Sequence, residues 1–360
     1  MFSIAIKDFC GRYDVDITSI DIVSTYTPGL KPPIYSVAED TNNHAMGWNA
    51  VIEKETGLMV MFDFVVIERA EIRRNISPVA FVDRLLLRHP HKFRACLNID
   101  EVANIGFISP FIDDGARTTI SRDCGPGSLL INYAMRYCTS NNFSEDYNGT
   151  FARQGTINQD IVARFLNTHD YLHKTAPLHI AREMFGDHEG QRLIDECLSA
   201  DMCDVDTVAT ITRITAQNIF KQYDRLLELY FPPGQQVDEL FICGLSARNS
   251  NVVDYLEAEL PESVITKPLD DIGIPGDAKE AFCYAHLGLN ALLAEATHPP
   301  RTASPTSRQQ DAVVGKFFRG KKWDDILGRI QKFSEGKPLN TSKDIRMVSS
   351  PTGRVPVSGL

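Results

Sequence analysis

The chain has 360 residues, 37 Lys plus Arg against 47 Asp plus Glu, and 43% hydrophobic side chains, enough for one large or two medium cores. Its formal charge of −10 excludes DNA and RNA as expected partners, because nucleic-acid binding rests on neutralising phosphates with Lys and Arg. No apolar run reaches the length of a membrane-spanning helix, and Lys7 and Asp8 interrupt the opening too early for a signal peptide, so the expected address is cytoplasmic with no membrane partner.

Residues 18–26 and 57–67 are rich in Val, Ile, Met and Phe with intermittent alternation, which predicts half-buried strands. Val79, Phe81, Val82, Leu85 and Leu86 recur at helical spacing, and residues 95–99 return to an extended apolar pattern. After the turn Gly125-Pro126-Gly127, apolar residues at 129, 130, 133, 134 and 137 mark one face of a helix. Helical stripes follow at Ile157, Ile161, Val162, Phe165 and Leu166, and again from Val208 through Ile211, Thr215, Ile219, Tyr223 and Leu226 to Tyr230. Glu239 to Cys243 predicts a buried strand entering the turn Gly244-Leu245-Ser246, with a helix over 252–260. Asp277 and Glu280 have capping-box spacing ahead of a helix over 278–293. Residues 298–307 have linker composition, residues 313–333 predict one amphipathic helix bearing Trp323, and the chain from about 336 onward predicts disorder.

Charge is uneven: residues 301–360 hold 12 basic and 5 acidic side chains, a basic tail on an acidic chain. The eight cysteines form no Cys-x-x-Cys pair and have no His at zinc-binding spacing, so they are expected to be buried or incidental thiols, and no metal ligand is assigned.

Two segments could carry chemistry. In Ser121-Arg122-Asp123-Cys124-Gly125-Pro126-Gly127-Ser128 the glycines let backbone amides approach a ligand, and the following helix points its positive end there. Asp123 is the candidate general base for a water or hydroxyl nucleophile; the alternative is an Asp that only braces the turn. Gly244-Leu245-Ser246-Ala247-Arg248-Asn249 leaves the carboxyl end of a strand, where α/β sheets receive ligands, but such a turn is most often a plain strand-to-helix connection.

Asp123-Cys124-Gly125-Pro126-Gly127 resembles the Asp-Thr-Gly-Pro-Gly motif of anhydro-N-acetylmuramic acid kinases, and Cys243-Gly244-Leu245-Ser246-Ala247-Arg248-Asn249 resembles their Cys-Gly-Gly-Gly-Ala-Arg-Asn adenosine loop. Asp146-Tyr147-Asn148-Gly149, Ala209-Thr210-Ile211-Thr212 and Gly273 through Ala281 are similar to further landmarks, and the resemblance spans most of residues 15–320. It implies an α/β, two-lobed actin/hexokinase-like sugar kinase fold. It also implies ATP and Mg2+ as cofactors, hydrolytic opening of a 1,6-anhydro sugar with phosphorylation of its O6, and a homodimer; a related branch acts on levoglucosan. Carried over by position, Asp123 matches the water-activating base, Gly125 and Gly127 the adjoining turn, Gly244, Arg248 and Asn249 the nucleotide loop, and Glu280 the acid near ATP. Completing a helix cap is the competing role for Glu280. The implied division is an N-terminal lobe over 1–122, a largely helical C-terminal lobe with sheet over 123–334, and a tail over 335–360.

Departures from the family pattern shape the functional expectation. The Gly-Thr-Ser-x-Asp-Gly phosphate hairpin has no counterpart before Val15, so the N-terminal lobe is expected to be incomplete. The His-Gly-Gln-Thr segment falls on Tyr26-Thr27-Pro28-Gly29, the sugar-side loop on residues 73–78, and Lys-Ser-Thr-Gly on Leu178-His179-Ile180-Ala181, with the family side chains changed in each. In Asn98-Ile99-Asp100-Glu101-Val102-Ala103-Asn104, two acids replace paired glycines where phosphates would approach. The expectation is an anhydro-sugar kinase relative whose activity is reduced or lost, the alternative being a non-catalytic sugar- or nucleotide-binding regulatory protein.

Overall fold

The computed structural model describes residues 2–26, 40–67, 77–110, 119–169, 184–297, 312–337, 339 and 345–346. The strands among them are β1 (Ile22–Ser24), β2 (Met59–Ile67), β3 (Arg94–Ile99), β4 (Val102–Ile108), β5 (Thr119–Pro126), β6 (Glu239–Cys243), β7 (Ile265–Pro268) and β8 (Ala312–Phe318). The chain is mixed α/β, as expected, and divides into two compact units: residues 1–85 with 280–344, and residues 86–279 with 345–360.

In the first unit, β1 runs parallel to β2 and β8 antiparallel to it. The buried run from Met59 to Phe62 forms the centre of this sheet. On the helix Lys279–Thr297, Tyr284 places its ring 5.5 Å from Tyr26 and 6.1 Å from Phe64. The expected single helix over 313–333 is corrected. Residues 312–318 are strand β8, and the helix begins only at Trp323 and ends at Ser334. Val313, Val314, Phe317 and Phe318 suit a pleated surface better than a helical one, and β2 supplies the partner that sequence periodicity alone does not reveal. The Phe62 and Phe318 rings stack at 5.6 Å, and Trp323 stacks on Phe317 at 5.4 Å. The helices Phe2–Arg12 and Asp40–Thr56 were not foreseen.

The second unit is built on the sheet β5-β4-β3-β6-β7, antiparallel from β5 to β3 and parallel from β3 to β7. The five residues of β6 are all buried, which explains its unbroken Glu-Leu-Phe-Ile-Cys run: a central parallel strand is covered on both faces. The helix Asp204–Tyr230 serves two cores. Val208, Ile211 and Ile214 pack with the helices Leu129–Cys138, Gln159–Thr168 and Asp187–Ser199, while Ala216, Ile219, Tyr223 and Leu226 join the sheet. A boundary at 122/123 would cut β5, whose ladder to β4 holds Thr119 through Pro126 in one sheet. The whole of β5 lies in the second unit, and residues 280–344 lie in the first.

The chain enters the helix Lys279–Thr297 through a 3-10 turn, Gly276–Ala278, with Pro275 ahead of it. The expected linker at 298–307 and most of the expected tail lie outside the described residues. Among the described residues no helix is long and apolar enough to cross a membrane.

Candidate functional site

The site grows from the β3–β4 hairpin, whose turn is Asp100-Glu101. Asp100 bonds in three directions. Its Oδ1 accepts from the Leu245 amide at 2.8 Å, its Oδ2 from the Asn98 side chain at 2.7 Å, and its carbonyl from the Ser128 amide at 2.8 Å. Glu101 contributes its carbonyl, which accepts from the amides of Gly127 at 2.9 Å and Leu129 at 3.2 Å. Both glycine-containing turns, one after β5 and one after β6, are therefore fastened to the same two-residue hairpin.

Steric fit explains the glycines. A Cβ on Gly127 would lie 2.0 Å from the Asp100 carbonyl oxygen. Gly244 has φ +98, and a Cβ there would lie 2.7 Å from the Ile99 carbonyl oxygen. Beyond it, Ser246 donates its amide to that same Ile99 oxygen at 2.9 Å, and the Gly244 amide reaches the Gly276 carbonyl at 3.0 Å.

Asp123 lies on β5 opposite Asn104 of β4, next to a bulge that leaves Cys124 without a register partner. Bulges of this kind re-aim side chains near sites. Cys124 is fully buried, whereas Asp123 is half-buried and accepts from Asn104 Nδ2 at 2.9 Å. Ser121 Oγ donates to Asn104 Oδ1 at 2.9 Å, which fixes the orientation of the Asn104 amide toward Asp123. Burial, and then the neighbouring Asp123 charge, pushes the Cys124 thiol far above its ordinary range. The turn is held from below by the long helix: Thr215 Oγ1 donates to the Gly127 carbonyl at 2.9 Å, and Asn218 Nδ2 donates to the Cys124 carbonyl.

A cleft of about 400 Å³ opens beside the β6 turn, within the usual range of small-molecule sites. Ile242, Ala247, Val253 and Pro268 give it apolar walls; Glu257, Asp270, Asp277, Arg248 and Lys267 supply its charges. Lys267 Nζ lies 2.7 Å from the buried carboxylate of Glu239, so its charge is committed there. Thr266 Oγ1 donates to Glu257 at 2.6 Å, and Asp270 accepts the Gly276 amide at 3.2 Å. Arg248 is exposed at the wall.

Asn249 is buried and N-caps the helix Ser250–Glu259, its Oδ1 accepting from the Asn251 amide at 3.1 Å. The landmark at 146–149 docks on this cap. Asn251 Nδ2 donates to the Gly149 carbonyl at 2.7 Å, while the Asp146 carboxylate accepts from the Phe151 and Ala152 amides.

Six of the seven expected site residues, Asp123, Gly125, Gly127, Gly244, Arg248 and Asn249, thus fall in the second unit. Glu280 is exposed near the start of the helix Lys279–Thr297 and opens the segment of the first unit; its charge adds to burial in raising Tyr284 above the ordinary phenol range. The altered positions 27–29, 73–76 and 178–181 lie outside the described residues. Sequence reading missed the Asn104 amide behind Asp123 and the cation set around Glu239. An acid opening an otherwise apolar strand was the available signal for the second.

ATP can be tested against these residues. The cleft suits the apolar face and polar edges of a nucleoside, but the backbone donors that would meet its phosphates are taken: the Leu245 amide by Asp100, and those of Gly127, Ser128 and Leu129 by the hairpin carbonyls. The nucleoside part fits and the triphosphate part does not. Among the described residues no group of three or more His, Cys, Asp or Glu side chains could hold a metal ion. All eight cysteines are free, and burial raises Cys138 to about 12 and Cys197 to about 11, the behaviour of unreactive thiols.

Comparison with known proteins places this arrangement. The chain is 29% identical over 300 residues to an anhydro-N-acetylmuramic acid kinase of Clostridioides difficile, covering 81% of this chain and 73% of that one. It is 26% identical over 243 residues to one of Crocosphaera subtropica, covering 67% and 62%. It therefore spans less than two thirds of the length of that second relative. Among solved structures, an activator of 2-hydroxyisocaproyl-CoA dehydratase from Clostridium difficile with bound ADPNP aligns at TM-score 0.36 and 14% identity over 69% of this chain and 81% of that one. The family profile described as anhydro-N-acetylmuramic acid kinase matches residues 34–319, and the chain belongs to that family.

Proposed function

We propose that this protein is a divergent anhydro-sugar kinase that retains a nucleoside cleft and a base-like carboxylate while its phosphoryl transfer is reduced or lost. The family reaction is ATP-dependent, hydrolytic opening of a 1,6-anhydro sugar with phosphorylation of its O6. In that reaction Asp123, oriented by Asn104, is the group suited to take a proton from water, and Gly244 and Arg248 border the nucleotide.

The observation that carries the loss is the Asp100 carboxylate 2.8 Å from the Leu245 amide. At an effective dielectric of about 20, a carboxylate about 5 Å from a phosphate charge costs roughly 3 kcal/mol, or about a hundredfold in binding. The hydrogen bond a phosphate would gain from that one amide contributes about 1.5–3 kcal/mol and is already spoken for. Repulsion and lost donation act in the same direction, and Glu101 adds a second negative charge in the turn.

The second reading, a non-catalytic sugar- or nucleotide-binding accessory protein, shares the cleft and differs only in whether any transfer survives. A thermal-shift titration with a panel of 1,6-anhydro sugars in the presence of Mg2+ and ATP, followed by mass spectrometry of the sugar, tests the proposal. The expected result is a raised melting temperature with at least one sugar and at most a trace of phosphorylated product. Stoichiometric conversion to sugar phosphate, or no shift with any sugar, contradicts it.

A further inference from the structure

The hairpin that interrupts phosphate binding has a positive consequence for what the cleft prefers. Asp100 places a full negative charge on a backbone amide at the carboxyl end of β6, the kind of donor that receives the anionic part of a ligand in an α/β sheet. The Asn98 side chain holds its other oxygen at 2.7 Å, so the carboxylate is fixed in place from both sides. This internal bond links residues 145 positions apart and ties the hairpin to the cleft's Gly244–Arg248 rim.

The cleft's own charges point the same way. Glu257, Asp270 and Asp277 line it, Lys267 is committed to Glu239, and the remaining cation of the lining is Arg248. Such a surface offers acceptors to hydroxyl and amine donors and apolar walls to a flat base, while opposing a polyanion.

We propose that Asp100 is a specificity-determining residue, a built-in anion that makes this cleft select uncharged purine nucleosides over their phosphorylated forms. The inference rests on the reading of the cleft as a nucleoside site and adds the identity of its preferred ligand. Carboxylates at the cleft accept from the ribose hydroxyls and the exocyclic amine, and the Leu245 amide needs no ligand group because Asp100 already satisfies it.

Calorimetric titration of the full chain with adenosine and with ATP plus Mg2+ tests this, using wild type, Asp100→Gly and Asp100→Asn. Wild type is expected to bind adenosine at least about tenfold more tightly than ATP, and Asp100→Gly to strengthen ATP by about tenfold or more while changing adenosine by less than about threefold. Asp100→Asn keeps an oxygen for the Leu245 amide and removes the charge, so it is expected to recover part of the ATP affinity even where the glycine variant folds poorly. Equal or tighter ATP binding by wild type, or an unchanged preference in both variants, overturns the role of Asp100 and leaves the nucleoside cleft standing. Absence of binding by either compound overturns the cleft itself, and with it the inference.

Discussion

Replacing Glu239 with Ala is expected to lower unfolding free energy by about 3 kcal/mol, seen as a drop in the urea midpoint with an unchanged slope. The carboxylate is buried at the start of β6 and meets Lys92 at 2.6 Å, Lys267 at 2.7 Å and Arg94 at 2.8 Å. Arg94 is its register partner on β3 and Lys267 lies diagonally on β7, so one acid ties three adjacent parallel strands. Removing it strands cations that converge on one point. Lys92 and Lys267 are partly exposed and can turn to water, which keeps the cost near the low end for breaking a buried pair.

The same group gives the protein an acid limb. Burial alone would raise the Glu239 pKa, but hydrogen bonds from Lys267 and Lys92 and the Arg94 charge outweigh it and hold the group at about 2, below its ordinary 4.5. A depressed folded-state pKa stabilises above the ordinary value and ceases to do so as pH falls through the folded one. Stability is therefore expected to decline between about pH 4.5 and about 2, and Glu239→Gln to show a shallower decline over that window. Equal acid slopes in the two proteins would remove Glu239 as the cause.

Gly127→Ala is expected to cost about 3 kcal/mol, more than a typical exposed-turn substitution, because the new Cβ meets the Asp100 carbonyl oxygen at 2.0 Å and backbone must move. Relief requires the hairpin to shift, which strains the Gly127–Glu101 and Ser128–Asp100 bonds and the Asp100–Leu245 contact together. Hydrogen exchange should show the Leu245 amide losing protection in the variant. A stability change under about 1 kcal/mol with unchanged protection would contradict the packing of turn on hairpin.

Local patterns carried much of the fold. The stripe from Val208 to Tyr230 became the helix Asp204–Tyr230, and the apolar run 239–243 became a central strand because both signals are contained within one element. Residues 313–318 were misread because Val313, Val314, Phe317 and Phe318 also fit a helical spacing, and the partner that makes them a strand is β2, some 250 positions away. At the site, Asp123 and the Gly244 turn were legible from glycines and strand ends. Asn104 behind Asp123 and the Asp100–Leu245 bond were not, since each depends on pairing across the sheet. The sequence marks Asp100 and Glu101 as acids in place of paired glycines; that the Asp100 carboxylate accepts the Leu245 amide is visible only in the fold. Asn249 was expected at the nucleotide and is found capping the helix Ser250–Glu259, a role its side chain fills without any ligand.

The rate of ADP formation by the wild-type chain with Mg2+, ATP and 1,6-anhydro-N-acetylmuramic acid, set beside that of Asp123→Asn, reports most directly on whether an occupied amide and two hairpin acids have silenced phosphoryl transfer. Equal rates in the two proteins, both at background, are predicted. A wild-type rate about a hundredfold above that of Asp123→Asn would contradict the loss and make Asp123 the base of a working kinase.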